Sequence, residues 1–459
     1  MSGTSIILTQ HEHDHWSVEL RGKLAKLKAH AGFRKYAANT SWLVAEKVFR
    51  MIVGLLVTIW VARYLGPSEF GLLSYAQSFA LLFTALASLG LDSIVVRELV
   101  KSEYPTEDLL GTAFALKAVS GILVLPLIYG ALQTTSDPSF LVMIVAFSIF
   151  FQSFNVIDFF FQAKVLSKYV ALANSFSLLV SSLIKVALII SGASVAAFAW
   201  MIVFDAAVFA AGLVWFYFRR AGFLENRWRI NPALARQLLS DSWPLILSGM
   251  VISIYMKIDQ IMIREMLGDT AVGYYAAAVR LSEAWYFIPM VLAASLFPAL
   301  INARKRDAEL YFQRLQALYA AMVWLGIAIA IPVTFVGPWV INVLYGDEFA
   351  PAGLVLIVHI WASVFVFLGV AYGKYLAAEN YTRKAFYRTA LGALFNVLLN
   401  WLLIPVWGIV GAAIALLFAQ FVSNYLYDFF DSDVRHQLQL KNQAFVPLFL
   451  LKRNSEEVG

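Results

Sequence analysis

Ionisable residues inside long apolar runs are where this chain could do chemistry. One run carries Glu46, Lys47 and Arg50, a second Lys257, Asp259 and Gln260, and a third Arg280 and Glu283. A charge at the centre of a membrane helix costs roughly 2.5–3.5 kcal/mol on insertion scales, so each should face protein or water rather than lipid. Arg50, Lys257 and Arg280 together would suit an anion: a guanidinium fork matches phosphate oxygens, and a lysine acts as a point charge. Glu46, Asp205, Asp259 and Glu283 are the carboxylates available to line such a cavity or to couple a proton or sodium ion. The competing reading is structural. Glu46 and Arg50 stand i, i+4 and Arg280 and Glu283 stand i, i+3, spacings at which helix neighbours neutralise each other. Amides such as Asn396 and Asn400 serve interhelical hydrogen bonds as readily as a substrate path. Lys117 and Lys374, near helix ends, and Lys185 are expected to snorkel.

These residues need membrane helices to hold them. The chain has 459 residues, 61% of them apolar and 14% charged, with a mean hydropathy of +0.73. Runs of about 20 apolar residues repeat along it, which indicates an all-α polytopic membrane protein and excludes a β-barrel, whose strands would alternate. Twelve spans are expected, at 42–63, 70–90, 111–131, 140–161, 169–190, 195–217, 244–266, 271–299, 315–336, 354–376, 387–404 and 409–430. They divide into lobes of six helices at 42–217 and 244–430 around a central cavity, joined by a linker at 218–243 and flanked by tails at 1–41 and 431–459. Segments on one side carry 25 Lys and Arg, whereas loops on the other carry none. That bias predicts a multi-pass inner-membrane protein with both termini cytoplasmic. Pro126, Pro289 and Pro332 fall inside spans, and a bend at Pro289 could move the charged layer.

The tails add little chemistry. No cleavable signal peptide is expected. His11, His13 and His15 alternate in a polar stretch that reads as a disordered tail rather than a preorganised metal cage. Leu20, Leu24, Leu27 and Ala31 recur among lysines as a basic amphipathic helix for an anionic leaflet. The apolar patch 444–451 is too short to span and is expected at the interface. The chain has no cysteine. Phosphate-loop, metalloprotease and serine-hydrolase motifs are missing, so no cofactor, metal or covalent step is expected.

One pattern occurs twice. Leu65-Gly66-Pro67-Ser68-Glu69-Phe70-Gly71 and Leu267-Gly268-Asp269-Thr270-Ala271-Val272-Gly273 both read Leu-Gly, three residues, then an apolar residue and Gly. Ser41-Trp42 and Ser242-Trp243 extend the register upstream. Six spans per half let the halves repeat in the same orientation.

The first copy, with Arg63-Tyr64 before it, resembles the turn after the first helix of polysaccharide-biosynthesis flippases. These are the oligosaccharide-lipid exporters of the multidrug/oligosaccharidyl-lipid/polysaccharide superfamily. Gly90-Leu91-Asp92 to Arg97-Glu98, Phe297-Pro298-Ala299-Leu300, and Ile404-Pro405 with Gly408 and Gly411-Ala412-Ala413 carry the resemblance across residues 40–430. It implies alternating access between two lobes and transport of an undecaprenyl-pyrophosphate-linked oligosaccharide from inner to outer leaflet. It further implies membrane lipid, a polysaccharide polymerase and assembly proteins as partners, and no nucleic acid. The alternative is a multidrug or small-solute cation antiporter of the same superfamily, using Asp205, Asp259 and Glu283.

Overall fold

The computed structural model describes residues 31–135, 139–221 and 228–446, and the side chains of all of these except 31–46, 220 and 221. The histidine tail, most of the basic amphipathic stretch and most of the 444–451 patch lie outside the described residues, as does the Glu46 side chain.

Among the described residues, ten helical stretches are long and apolar enough to cross a membrane. Two of them hold two crossings. The helix α1 (Ala31–Leu82) has 52 residues, about 78 Å at 1.5 Å per residue, against ~30 Å of hydrocarbon. Gly66, at φ 71° and ψ 173°, breaks it where the Gly-Pro turn was expected. Gly408, at φ 57° and ψ −140°, breaks the Thr382–Phe421 helix in the same way. Divided at these glycines, the stretches give the twelve expected crossings.

The first lobe continues through α2 (Thr84–Ser88), α3 (Asp92–Lys101), α4 (Thr106–Leu132), α5 (Phe140–Phe151), α6 (Asn155–Ala163), α7 (Lys168–Ile190) and α8 (Val195–Ala221). The second comprises α9 (Pro232–Leu267), α10 (Asp269–Glu283), α11 (Phe287–Arg306), α12 (Ala308–Tyr345), α13 (Ala352–Ala378), α14 (Thr382–Phe421), α15 (Tyr427–Phe430) and α16 (Gln437–Ala444). Two spans are interrupted by 3-10 turns, at Gln152–Phe154 and Ala284–Tyr286. The second turn lies just before Pro289, whose missing N–H cannot bond the carbonyl four residues earlier. Pro126 and Pro332 instead sit inside continuous helices.

The two repeated turns pack against each other. A Cβ on Gly71 would overlap the Asp269 carbonyl, and one on Gly273 would overlap the Pro67 carbonyl. The last glycine of each motif therefore admits the other copy's backbone, a reciprocal contact that fits two halves related by a pseudo-two-fold axis. Around it the lobes share one core, with Phe70 and Tyr75 from α1 beside Val272 and Tyr275 from α10. We call this the turn end. At the opposite end the lobes approach again, where a Cβ on Gly90, in the turn after α2, would lie 2.8 Å from that of Leu245 in α9.

The tail after the last crossing folds back. The helix α16 buries Gln437 and Lys441 completely, and the Lys441 ammonium lies 2.6 Å from Asp428, also fully buried. Burial pushes the Lys441 amine down to about 8, against the pull of Asp428. Hydropathy gave no hint of this, because α16 is polar in composition.

Candidate functional site

Between the lobes lies a cavity of about 240 Å³. On the first lobe it is lined by Ser74, Gln77, Ser78 and Leu81, spaced as one helix face of α1 after the Gly66 break. On the second lobe Lys257 and Gln260 of α9 and Val279, Arg280 and Glu283 of α10 complete it. Lys257 lies eleven residues before Gly268 and Arg280 twelve after it. Both are thus roughly 16–18 Å from the turn at 1.5 Å per residue.

Cross-lobe hydrogen bonds close the cavity wall. Ser78 Oγ donates to Gln260 Oε1 at 2.8 Å, and Arg280 Nη2 donates to Gln77 Oε1 at 3.1 Å. The Arg280 guanidinium also lies 4.9 Å from the centre of the Phe70 ring. The expected Arg280–Glu283 ion pair is not closed: Arg280 reaches the other lobe instead. Among the described residues Lys257 and Glu283 have no hydrogen bond or ion pair and are half-buried. Two cations thus face one carboxylate, with Ser74 Oγ buried beside them and unpartnered.

Other expected residues lie elsewhere. Arg50 stands sixteen residues before Gly66, roughly 24 Å along its helix and so deeper than the cavity layer. It donates to Asn174 Oδ1 of α7 at 3.4 Å. Asp259 is buried away from the cavity inside the second lobe, accepting from Tyr275 at 2.7 Å and from Asn400 at 2.6 Å. Asp205 pairs with Lys185 at 3.0 Å and accepts from Ser177, within the first lobe. The pair joins α7 and α8 across their connecting turn. Lys185 therefore has an ionic partner rather than snorkelling freely, and a hairpin places residues at similar distances from its turn side by side. Lys117 is likewise buried, 2.7 Å from Asp92 and under the Phe159 ring, instead of snorkelling.

Sequence reasoning missed Ser74, Gln77 and Ser78, although their helical spacing within an apolar run was the available signal. It also missed His359, buried on α13 with Nδ1 2.9 Å from Ser282 Oγ.

Comparisons with known proteins agree with this architecture. The capsular polysaccharide biosynthesis protein CapF of Staphylococcus aureus is 20% identical over 85% of this chain and 98% of its own. The protein named "Probable flippase AglR" of Haloferax volcanii is 24% identical over 85% of this chain and 82% of its own. Among solved structures, the lipid II flippase MurJ in an inward closed conformation superposes with a TM-score of 0.68 at 16% identity, covering 90% of this chain and 92% of its own. An inward-facing multidrug-resistance transporter of the MATE family gives 0.63 at 14% identity, covering 88% and 96%. The family described as polysaccharide biosynthesis protein matches residues 36–303, more than half of the sequence. The chain belongs to the polysaccharide biosynthesis protein family.

Proposed function

We propose that this protein is a flippase, moving an undecaprenyl-pyrophosphate-linked oligosaccharide from the inner to the outer leaflet of a bacterial cytoplasmic membrane. The observation that carries this reading is the cavity between the lobes, where, among the described residues, Lys257 and Arg280 face Glu283 as the only acid in the lining. Its net positive charge suits a pyrophosphate, and the guanidinium fork suits its oxygens. Relatives named as probable flippases, one of them for glycan biosynthesis, support the flippase reading.

In this account the basic side of the chain is cytoplasmic and the turn end is extracytoplasmic. Arg50, nearer the cytoplasmic side, meets the head group first; Lys257 and Arg280 then hold it, while the polyprenyl chain stays in lipid. Rocking of the lobes exposes the cavity to the other side, with no bond made or broken. Glu46, Asp205 and Asp259 are left for ion coupling. A cation antiporter is the weaker reading, because a cationic drug would meet two like charges in the cavity and a single carboxylate.

The test is complementation of a deletion strain. Lys257→Ala and Arg280→Ala should abolish surface polysaccharide while the protein stays in the membrane. Normal export by both variants would overturn the assignment.

A further inference from the structure

We propose that Arg280 is both the substrate's anion contact and the catch that holds the turn end shut, so that arrival of the pyrophosphate releases the closure. This rests on the flippase reading and adds how the cavity signals that it is loaded.

Three observations meet at this residue. Arg280 lines the cavity from the second lobe, yet its one hydrogen bond to protein among the described residues goes to Gln77 of the first lobe, and its guanidinium lies over Phe70 of the same helix. Arg280 stands seven residues after Gly273, and Gln77 seven after Phe70. Seven residues are two helical turns, so each pair shares a face. The Arg280–Gln77 contact therefore continues the interface that begins where Gly273 meets the Pro67 carbonyl and Gly71 the Asp269 carbonyl. Finally, Arg280 has five N–H donors, of which Gln77 takes one.

The competition favours the anion. Gln77 takes one of the two hydrogens on Nη2; a fork-on contact to a phosphate uses the other or its neighbours, so the anion engages the free donors first and its charge then pulls the guanidinium away from Gln77. The bond to Gln77 has a neutral acceptor, whereas bonds to a doubly charged head group are ionic on both sides and shorter. A guanidinium drawn into the cavity leaves Gln77 and Phe70, and the lobes lose this tie two turns below the glycine contact. Arg264 makes a similar cross-lobe stack on Tyr75, 4.1 Å from the ring centre. Its guanidinium is held by Asp269 at 2.6 Å, and it does not line the cavity, so that tie is not exposed to the substrate.

The chain has no cysteine of its own, which allows a direct test. Ser74 lines the cavity, and Ser74→Cys places one thiol there. In proteoliposomes, a membrane-impermeant maleimide reaches this thiol from the turn end only when that end opens. Gln77→Ala should raise the labelling rate about three- to tenfold, the range for losing one hydrogen bond. Gln77→Glu should lower it, since a carboxylate holds Arg280 more tightly. Farnesyl pyrophosphate should raise labelling in the Ser74→Cys chain and give no further rise once Gln77→Ala or Arg280→Gln is added. If both Gln77 variants label at the parent rate, the catch is overturned; whether the protein flips lipid-linked oligosaccharide is decided separately by its leaflet distribution in cells. If the Gln77 variants behave as stated but farnesyl pyrophosphate changes nothing, release by the anion is overturned.

Discussion

Lys257 and Arg280 reach the same depth because they flank one turn almost symmetrically, and that much could be counted from the sequence. Arg50 does not join them, because presence in a span says nothing of depth, and distance from the turn places it about one helical turn further along. The fates of Asp259 and Asp205 were hidden for another reason: their donors, Tyr275, Asn400 and Lys185, are met only after helices pack. Gln77 drew no notice because an amide among apolar residues has no charge to explain. The argument for Arg280 depends on its fork as well as its charge. Arg280→Ala should therefore lower flux of lipid-linked oligosaccharide in proteoliposomes by about 10- to 100-fold, the range for a hydrogen bond to a charged group. Arg280→Lys should fall between, because it keeps the charge and loses the second parallel bond.

At the scale of elements, the repeated Leu-Gly turn was the most informative stretch. Its first glycine supplies the backbone break at Gly66 and Gly268, and its last allows the two copies to touch. Gly273→Val would force a branched side chain onto the Pro67 carbonyl. The expected result is a turn end propped open: faster labelling of Ser74→Cys from that side and lower transport. The folded-back α16 makes a separate prediction. Removing one member of a fully buried ion pair leaves the other charge stranded, at a cost of about 3–5 kcal/mol. Lys441→Ala should accordingly lower the thermal midpoint of the detergent-solubilised protein, and the double change Lys441→Met with Asp428→Leu should recover most of it. The helix α3 adds a pH dependence. Burial alone would raise the Glu98 carboxyl, but Arg97 and Lys101 outweigh it and hold it below its usual value of 4.5. A carboxyl depressed in the folded state stabilises above its unfolded value and loses that contribution as pH falls through the folded one. The protection factors of the Asp92–Lys101 amides, with the intrinsic pH dependence of exchange divided out, should thus be steady above pH 4.5 and fall below it.

At the scale of the molecule, hydropathy and one repeated turn carried most of the architecture: twelve crossings, two halves and a cavity between them. They could not carry the continuity of the paired crossings, since a glycine bend that keeps its neighbours helical looks like a loop in sequence. Nor could they reveal the return of α16 into the second lobe, whose buried polar residues resemble those of an exposed tail. The central claim concerns the whole molecule, and the leaflet in which lipid-linked oligosaccharide accumulates in a deletion strain tests it most directly. A membrane-impermeant lectin or oxidant applied to intact spheroplasts should find the oligosaccharide inaccessible. Access should return with the wild-type protein and not with Arg280→Ala. Normal outer-leaflet exposure without the protein would contradict the account.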